Sequence, residues 1–247
     1  MSEACGCGND DRDEDEREPE RLWEVSELRA AAQLILQDVI DAAARDGRVR
    51  DFLDRLAALH APRVGLLRLP VNQGKGGAVL AGFRQAGGEG YSHVLQIDAD
   101  GQHDPADIPR FIARARAHPD DVVCGVPRYD ASVPKGRLYG RYLTHVWVWI
   151  NTLSFAIRDS MCGFRVYPLP PVLRLMDEET IGLRMDFDVE VLVRLFWRGI
   201  VVHNLPTRVT YPLDGVSHFD VWRDNVRISR MHARLFFGML RRLPRLL

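Results

Sequence analysis

Between His93 and Val126 two short apolar runs, HVLQI and DVVCGV, flank a segment that carries a helix signature. Asp104-Pro105 offers an N-cap residue followed by proline at the first helical position, so a helix is expected from there to about Ala117. Strands joined through a helix of ten or more residues need a crossover connection, which points to an α/β domain with parallel pairing. The same rhythm continues on both sides. Val64–Leu69 (VGLLRL) reads as a strand and Gly76–Gln85 as a helix. Further on, 138–157 read as a long apolar helix, Cys162–Tyr167 as a short strand, and Asp188–Trp197 as a helix stopped by Arg198-Gly199. Ile200–Tyr211 reads as extended chain interrupted by Pro206. The expectation is a mostly parallel sheet flanked by helices.

The two ends differ from this core. The chain carries 33 basic and 34 acidic side chains, yet residues 1–20 hold nine acids against two bases, and 221–247 hold seven arginines against one acid. Anionic partners are therefore expected at the C-terminal end. We read residues 1–20 as a solvated acidic tail, 21–60 as a helical segment, 61–217 as the core, and 218–247 as a basic amphipathic helix. Cys5 and Cys7 lack further soft ligands nearby and belong with the tail. The acidic start lacks the basic and apolar stretches of a secretory leader, and no run of 18 uncharged apolar residues occurs. A reducing cytoplasm is the expected compartment.

Three stretches carry chemistry. In QIDADGQHDP (96–105), Asp98 and Asp100 leave the end of a buried strand one residue apart and would repel without a cation between them. Hard oxygen ligands of this kind suit Mg²⁺ or Mn²⁺ held jointly with a diphosphate, and Gln102 or His103 can add a ligand. The bland alternative is an acidic turn in which Asp104 merely caps a helix. In NQGKGGAVLAGF (72–83), a glycine-rich turn opens a helix whose N–H groups can face an anion, with Lys75, one of only two lysines, adding a point charge. It lacks the GxxxxGK[ST] pattern of a Walker loop. The third comprises DSMCGFRVYP (159–168) and MDFDVEVLVRLFWRG, where Asp186, Asp188 and Glu190 alternate on the approach to a helix whose dipole alone would favour them.

Taken in order, NxGKGxAxxxGF, DAD with GQH, VPRY, an apolar segment, GFRVYP, the acidic helix start and the RG stop resemble the family 2 glycosyltransferases of GT-A fold, in the dolichyl-phosphate mannose synthase-like branch. The pattern is also similar to transferases of bacterial aryl-polyene clusters. The resemblance runs from about Leu53 to Phe219. It implies transfer of a sugar, with inversion, from a nucleotide-diphosphate donor to a lipid-linked or hydroxyl acceptor. It implies that Asp98 faces the nucleotide, that Asp98, Asp100 and Gln102 hold Mg²⁺ or Mn²⁺, and that Lys75, Arg128, Lys135, Arg141 and Arg165 meet donor or acceptor phosphates. A hydroxyl acceptor needs a base, for which Asp188, Glu190 and Asp159 are candidates, whereas a polyprenyl phosphate is already an anion and needs none. The C-terminal helix is expected to lie on the anionic inner membrane surface, with 142–157 as a second interfacial element. No nucleic-acid partner is expected.

The chain departs from that family near its start. A strand with PxYN and a second ending in Asp-Asp-Gly-Ser ordinarily hold the nucleotide base, and neither is found before Leu53. A wrong coding start or reading frame upstream of about residue 50 would account for this. The competing readings are an impaired homologue that binds a membrane or partner, and a nucleotidyltransferase on a similar scaffold.

Overall fold

The structure is a computed structural model that describes residues 47–61, 64–98, 101–129, 133, 135–210 and 221–246. The acidic tail and the first of the N-terminal helices expected from sequence lie outside the described residues. Those that are described form α1 (Gly47–Leu59), α2 (Gly74–Gly88), β1 (His93–Gln96), α3 (Ile108–Ala117) and β2 (Val122–Tyr129). They continue with α4 (Lys135–Thr152), β3 (Arg165–Pro168), α5 (Leu169–Glu178), α6 (Phe187–Trp197), β4 (Val202–Val209) and α7 (Val221–Leu246).

Local chemistry explains several boundaries. Asp104 caps the short 3₁₀ turn ahead of α3, its carboxylate accepting from Ala106 N–H at 2.9 Å, with Pro105 next in line. Helix α6 stops at Gly199, whose φ of +83° costs a glycine little. Pro206 sits in β4, which lies at a sheet edge where a missing N–H is tolerated.

The strand order is β1-β3-β2-β4. The sheet is mixed, which corrects the expectation of mostly parallel pairing: β3 runs antiparallel to both β1 and β2, and only β2 and β4 pair in parallel. Strands β1 and β2 do point the same way, as a crossover through α3 requires, but β3 is inserted between them. All four β3 residues are buried, and a strand buried on both faces looks the same in sequence whichever way its neighbours run. A second correction concerns Val64–Leu69, which forms no strand. That segment is tied to α1 instead, by Val64 N–H to His60 O at 3.0 Å and Arg68 to Asp54 at 2.6 Å.

The core is continuous across these elements. Phe83 of α2 meets Tyr167 of β3 edge-on at 5.1 Å, and Phe111 of α3 stacks on Phe164 at 4.0 Å. Met231, Leu235 and Met239 turn one face of α7 into the buried interior. Helix α4 packs against α7, with Trp147 stacked on His232, and leaves an apolar stripe exposed: Tyr139, Tyr142, Leu143, Val146, Trp147 and Ile150 all reach the surface. Their spacing of three and four places them on one side of the helix.

Candidate active site

Strand β1 is buried from Val94 to Gln96 and delivers Asp98, half-buried, at its C-terminal end. Lys75, in the first turn of α2, donates to Asp98 Oδ2 at 2.8 Å and pairs with Asp188 Oδ2 at 2.8 Å. Gln96 donates to the other oxygen of Asp188 at 3.3 Å. One ammonium therefore joins all three chemical stretches. Burial alone would raise the Asp98 pKa, but the charge and hydrogen bond of Lys75 outweigh it and hold the carboxyl below its ordinary range. Burial opposes the charged lysine too, and the two carboxylates overcome it, so its pKa is raised.

Gly163 completes this arrangement. A Cβ there would lie 2.1 Å from Asp98 Oδ2, so only glycine lets the 159–164 segment pass behind the carboxylate. In the sequence GFR stands out for its arginine, and its glycine gives no signal until the fold brings Asp98 against it.

The glycine-rich turn has a packing role. Gly77 N–H donates to Leu183 O at 2.9 Å, Gly74 N–H to Asn72 Oδ1 at 2.7 Å, and a Cβ on Gly76 would collide with Phe187 and the backbone of Leu183. The turn thus seats α2 on the start of α6 and brings Lys75 to Asp188.

The remaining candidates are placed as follows. Arg165 is fully buried and donates to Tyr167 Oη, Asp188 O and Ser160 O at 2.6–3.0 Å, clamping the site from beneath. Asp159 accepts both forks of Arg141 at 2.6 Å and the N–H groups of Met161 and Cys162, with His145 Nε2 at 3.3 Å. Burial disfavours its charge, yet the His145 and Arg141 contacts push its pKa far down. Glu190 is fully buried, accepting from Gly182 N–H at 2.8 Å, from Arg194 at 2.8 Å, and from Arg234 of α7 at 3.1 Å. Arg128 is exposed on β2 beside Arg208 of β4, which offers two like charges side by side. Gln102 is half-buried in the loop after Asp98, and its carbonyl accepts from Thr210 N–H at 3.1 Å. Lys135 opens α4, its side chain outside the description, and Asp100 lies outside the described residues.

The arginines of α7, read from sequence as a basic face for lipid, divide in two. Arg234 reaches Glu190, Arg242 lies over the Trp197 ring at 4.6 Å, and Arg227 pairs with Asp224 at 2.9 Å, while Arg223, Arg230 and Arg241 are exposed. No helix among the described residues is long and apolar enough to cross a membrane.

A family profile described as Glycosyl transferase family 2 matches residues 39–179, more than half of the chain. The chain belongs to glycosyl transferase family 2. It is a glycosyltransferase by family, and its mixed α/β core is of the GT-A type implied by its motifs. An undecaprenyl-phosphate mannosyltransferase from Micrococcus luteus is 32% identical over 68% of this chain and 69% of its own length. A polyprenol monophosphomannose synthase from Mycolicibacterium smegmatis is 28% identical over 72% and 68%. A dolichyl-phosphate beta-glucosyltransferase from Dictyostelium discoideum is 25% identical over 82% of this chain and 62% of its own. Glucosyl-3-phosphoglycerate synthase from Mycobacterium tuberculosis, solved with Mn²⁺ and UDP-glucose, aligns over 69% of this chain and 56% of its own at 15% identity and a TM-score of 0.47.

Proposed function

We propose that this glycosyltransferase moves a sugar from a nucleotide-diphosphate donor onto a polyprenyl phosphate at a membrane surface. The observation that carries this reading is the state of the three candidate bases. Asp188 is held by Lys75 and Gln96, Glu190 by Gly182, Arg194 and Arg234, and Asp159 by Arg141 and two backbone N–H groups. A carboxylate whose oxygens are already engaged by donors is not free to reach an acceptor's proton: the Asp159 pKa lies far down, and Glu190, although burial raises its pKa, is fully buried beneath Arg194 and Arg234. A phosphate acceptor arrives ionised and asks for no base. The lipid-phosphate acceptors named for the M. luteus and M. smegmatis relatives support the same choice.

Asp98, with Asp100 and Gln102, fits a hard divalent cation: Oδ2 of Asp98 is taken by Lys75, while among the described residues Oδ1 accepts no hydrogen bond. Mg²⁺ or Mn²⁺ bound there supplies charge neutralisation for the departing diphosphate. The protein's own part is orientation. Lys75 keeps Asp98 ionised and fixed, Gly163 sets its depth, and Arg165 holds the segment that carries Gly163. Among the candidate phosphate-binding arginines, Arg128, beside Arg208, is exposed and open to a phosphate, Arg165 is buried, and Arg141 meets one only by sharing its guanidinium with Asp159. The uncovered stripe on α4 is the face that meets the lipid, placing the enzyme peripherally.

The test is calorimetric titration with a panel of nucleotide sugars, with and without Mn²⁺. Donor binding that requires the metal, and is lost in Asp100→Asn, supports the reading. Metal-independent binding of equal strength in wild type and variant overturns it.

A further inference from the structure

At the opposite end of the sheet, where β2 and β4 start, three side chains from three elements converge. His118 follows the last turn of α3, Asp121 directly precedes β2, and His203 is the second residue of β4. His203 Nε2 lies 2.9 Å from Asp121 Oδ2, and the imidazoles of His118 and His203 stack with centroids 4.0 Å apart. One ligand atom from each of the three falls within 4.8 Å of the others, and all three residues are half-buried. The other Asp121 oxygen is steadied by Val201 N–H at 3.3 Å. Among the described residues the His118 ring has no hydrogen-bond partner, so its nitrogens are available.

We propose that His118, Asp121 and His203 form a binding site for a transition-metal dication of the Zn²⁺ class, distinct from the hard-cation site at Asp98. Two imidazoles and one carboxylate suit Zn²⁺ and its neighbours, whereas all-oxygen sets suit Mg²⁺ and Mn²⁺. The geometry is within reach. Bonds of about 2.1 Å in a tetrahedral arrangement put ligand atoms about 3.4 Å apart, so the His203–Asp121 pair opens by roughly half an ångström. The imidazole stack closes by a rotation of His118, which holds no other bond. A fourth position is left for water.

The site is remote from transfer chemistry. His93, at the start of β1, touches Pro119 O at 2.7 Å, and Asp98 is five residues further along the strand direction. At about 3.3 Å per extended residue, roughly 16 Å separates the two sites. The bound cation ties the end of α3 to the starts of two parallel strands, a stabilising cross-link.

The experiment uses the full chain, free of any affinity tag, with Cys5→Ser and Cys7→Ser to remove the N-terminal thiols. Cys124 and Cys162 are buried and need no change, the Cys124 thiol being pushed up to about 11 by burial. Calorimetric titration with Zn²⁺ is expected to give one-to-one binding and a higher Tm. His118→Ala and, separately, His203→Asn should each weaken binding at least about tenfold and remove the Tm rise, while Asp98→Asn leaves both intact. No Zn²⁺ binding by the parent, or equal binding by His118→Ala with its circular dichroism unchanged, overturns the proposal.

Discussion

Replacing Gly163 with alanine should disable transfer while sparing the fold. The new Cβ would stand 2.1 Å from Asp98 Oδ2, 2.3 Å from its carboxyl carbon and 2.4 Å from Oδ1. A carbon and an oxygen that are not bonded settle near 3.3 Å or more, so the carboxylate must retreat by roughly 1 Å. Lys75 sits 2.8 Å from the same Oδ2 and is anchored on its far side by Asp188, so it cannot follow freely. Displacements of about 1 Å in positioned groups cost on the order of 10²-fold in rate. Overpacking of a tight site costs about 1–3 kcal/mol, which lowers Tm by several degrees in a chain of this size. Initial rates with labelled donor, beside a thermal melt, measure both. Gly88→Ala is the control, because nothing lies within 4 Å of its added Cβ. Wild-type turnover and metal dependence in Gly163→Ala would refute the idea that this glycine sets the depth of Asp98.

Four other outcomes follow from the same geometry. Lys75→Met leaves two carboxylates without their shared cation and should cost about 3 kcal/mol by denaturant titration. The sign with pH is fixed by the lowered Asp98 pKa: its stabilisation is present above the ordinary aspartate value near 3.9 and is lost as pH falls below that toward the folded value, so this acid sensitivity should flatten in Lys75→Met. Arg141→Lys cannot reproduce the two-pronged contact with Asp159 and should lose about 1–3 kcal/mol, read as a lower urea midpoint. Replacing Tyr142, Leu143 and Val146 together with serine should reduce co-sedimentation with vesicles while leaving Tm within a few degrees, because all three are exposed.

Much of this architecture can be read from residues alone, for identifiable reasons. The Asp104-Pro105 start of the 3₁₀ turn that leads into α3 and the Arg198-Gly199 stop of α6 rest on local backbone chemistry, and both are observed. Asp98 stands out in sequence because a carboxylate at a buried strand end needs a partner, and Lys75 supplies one. Properties that depend on the neighbour are hidden. The direction of β3 is set by its partners and leaves no trace in RVYP. VGLLRL has the composition of a strand, but Arg68 and Val64 hold it to α1. The arginines of α7 look like a basic face for lipid in sequence, yet Glu190 and Trp197 lie where Arg234 and Arg242 can reach them. For that reason deleting residues 221–247 would unroof Met231, Leu235 and Met239, and point substitutions on α4 test lipid contact more cleanly.

The central claim, an acceptor that enters already ionised because the nearby carboxylates are engaged, is tested most directly by paired acceptors. Polyprenyl phosphate and the matching dephosphorylated polyprenol are offered in identical vesicles, with donor and Mn²⁺ held constant, and glycolipid formation is followed by thin-layer separation of labelled product. Transfer to the phosphate, with none to the free alcohol, is the predicted result. Equal or faster transfer to the alcohol would contradict it and return the role of base to Asp188, Glu190 or Asp159.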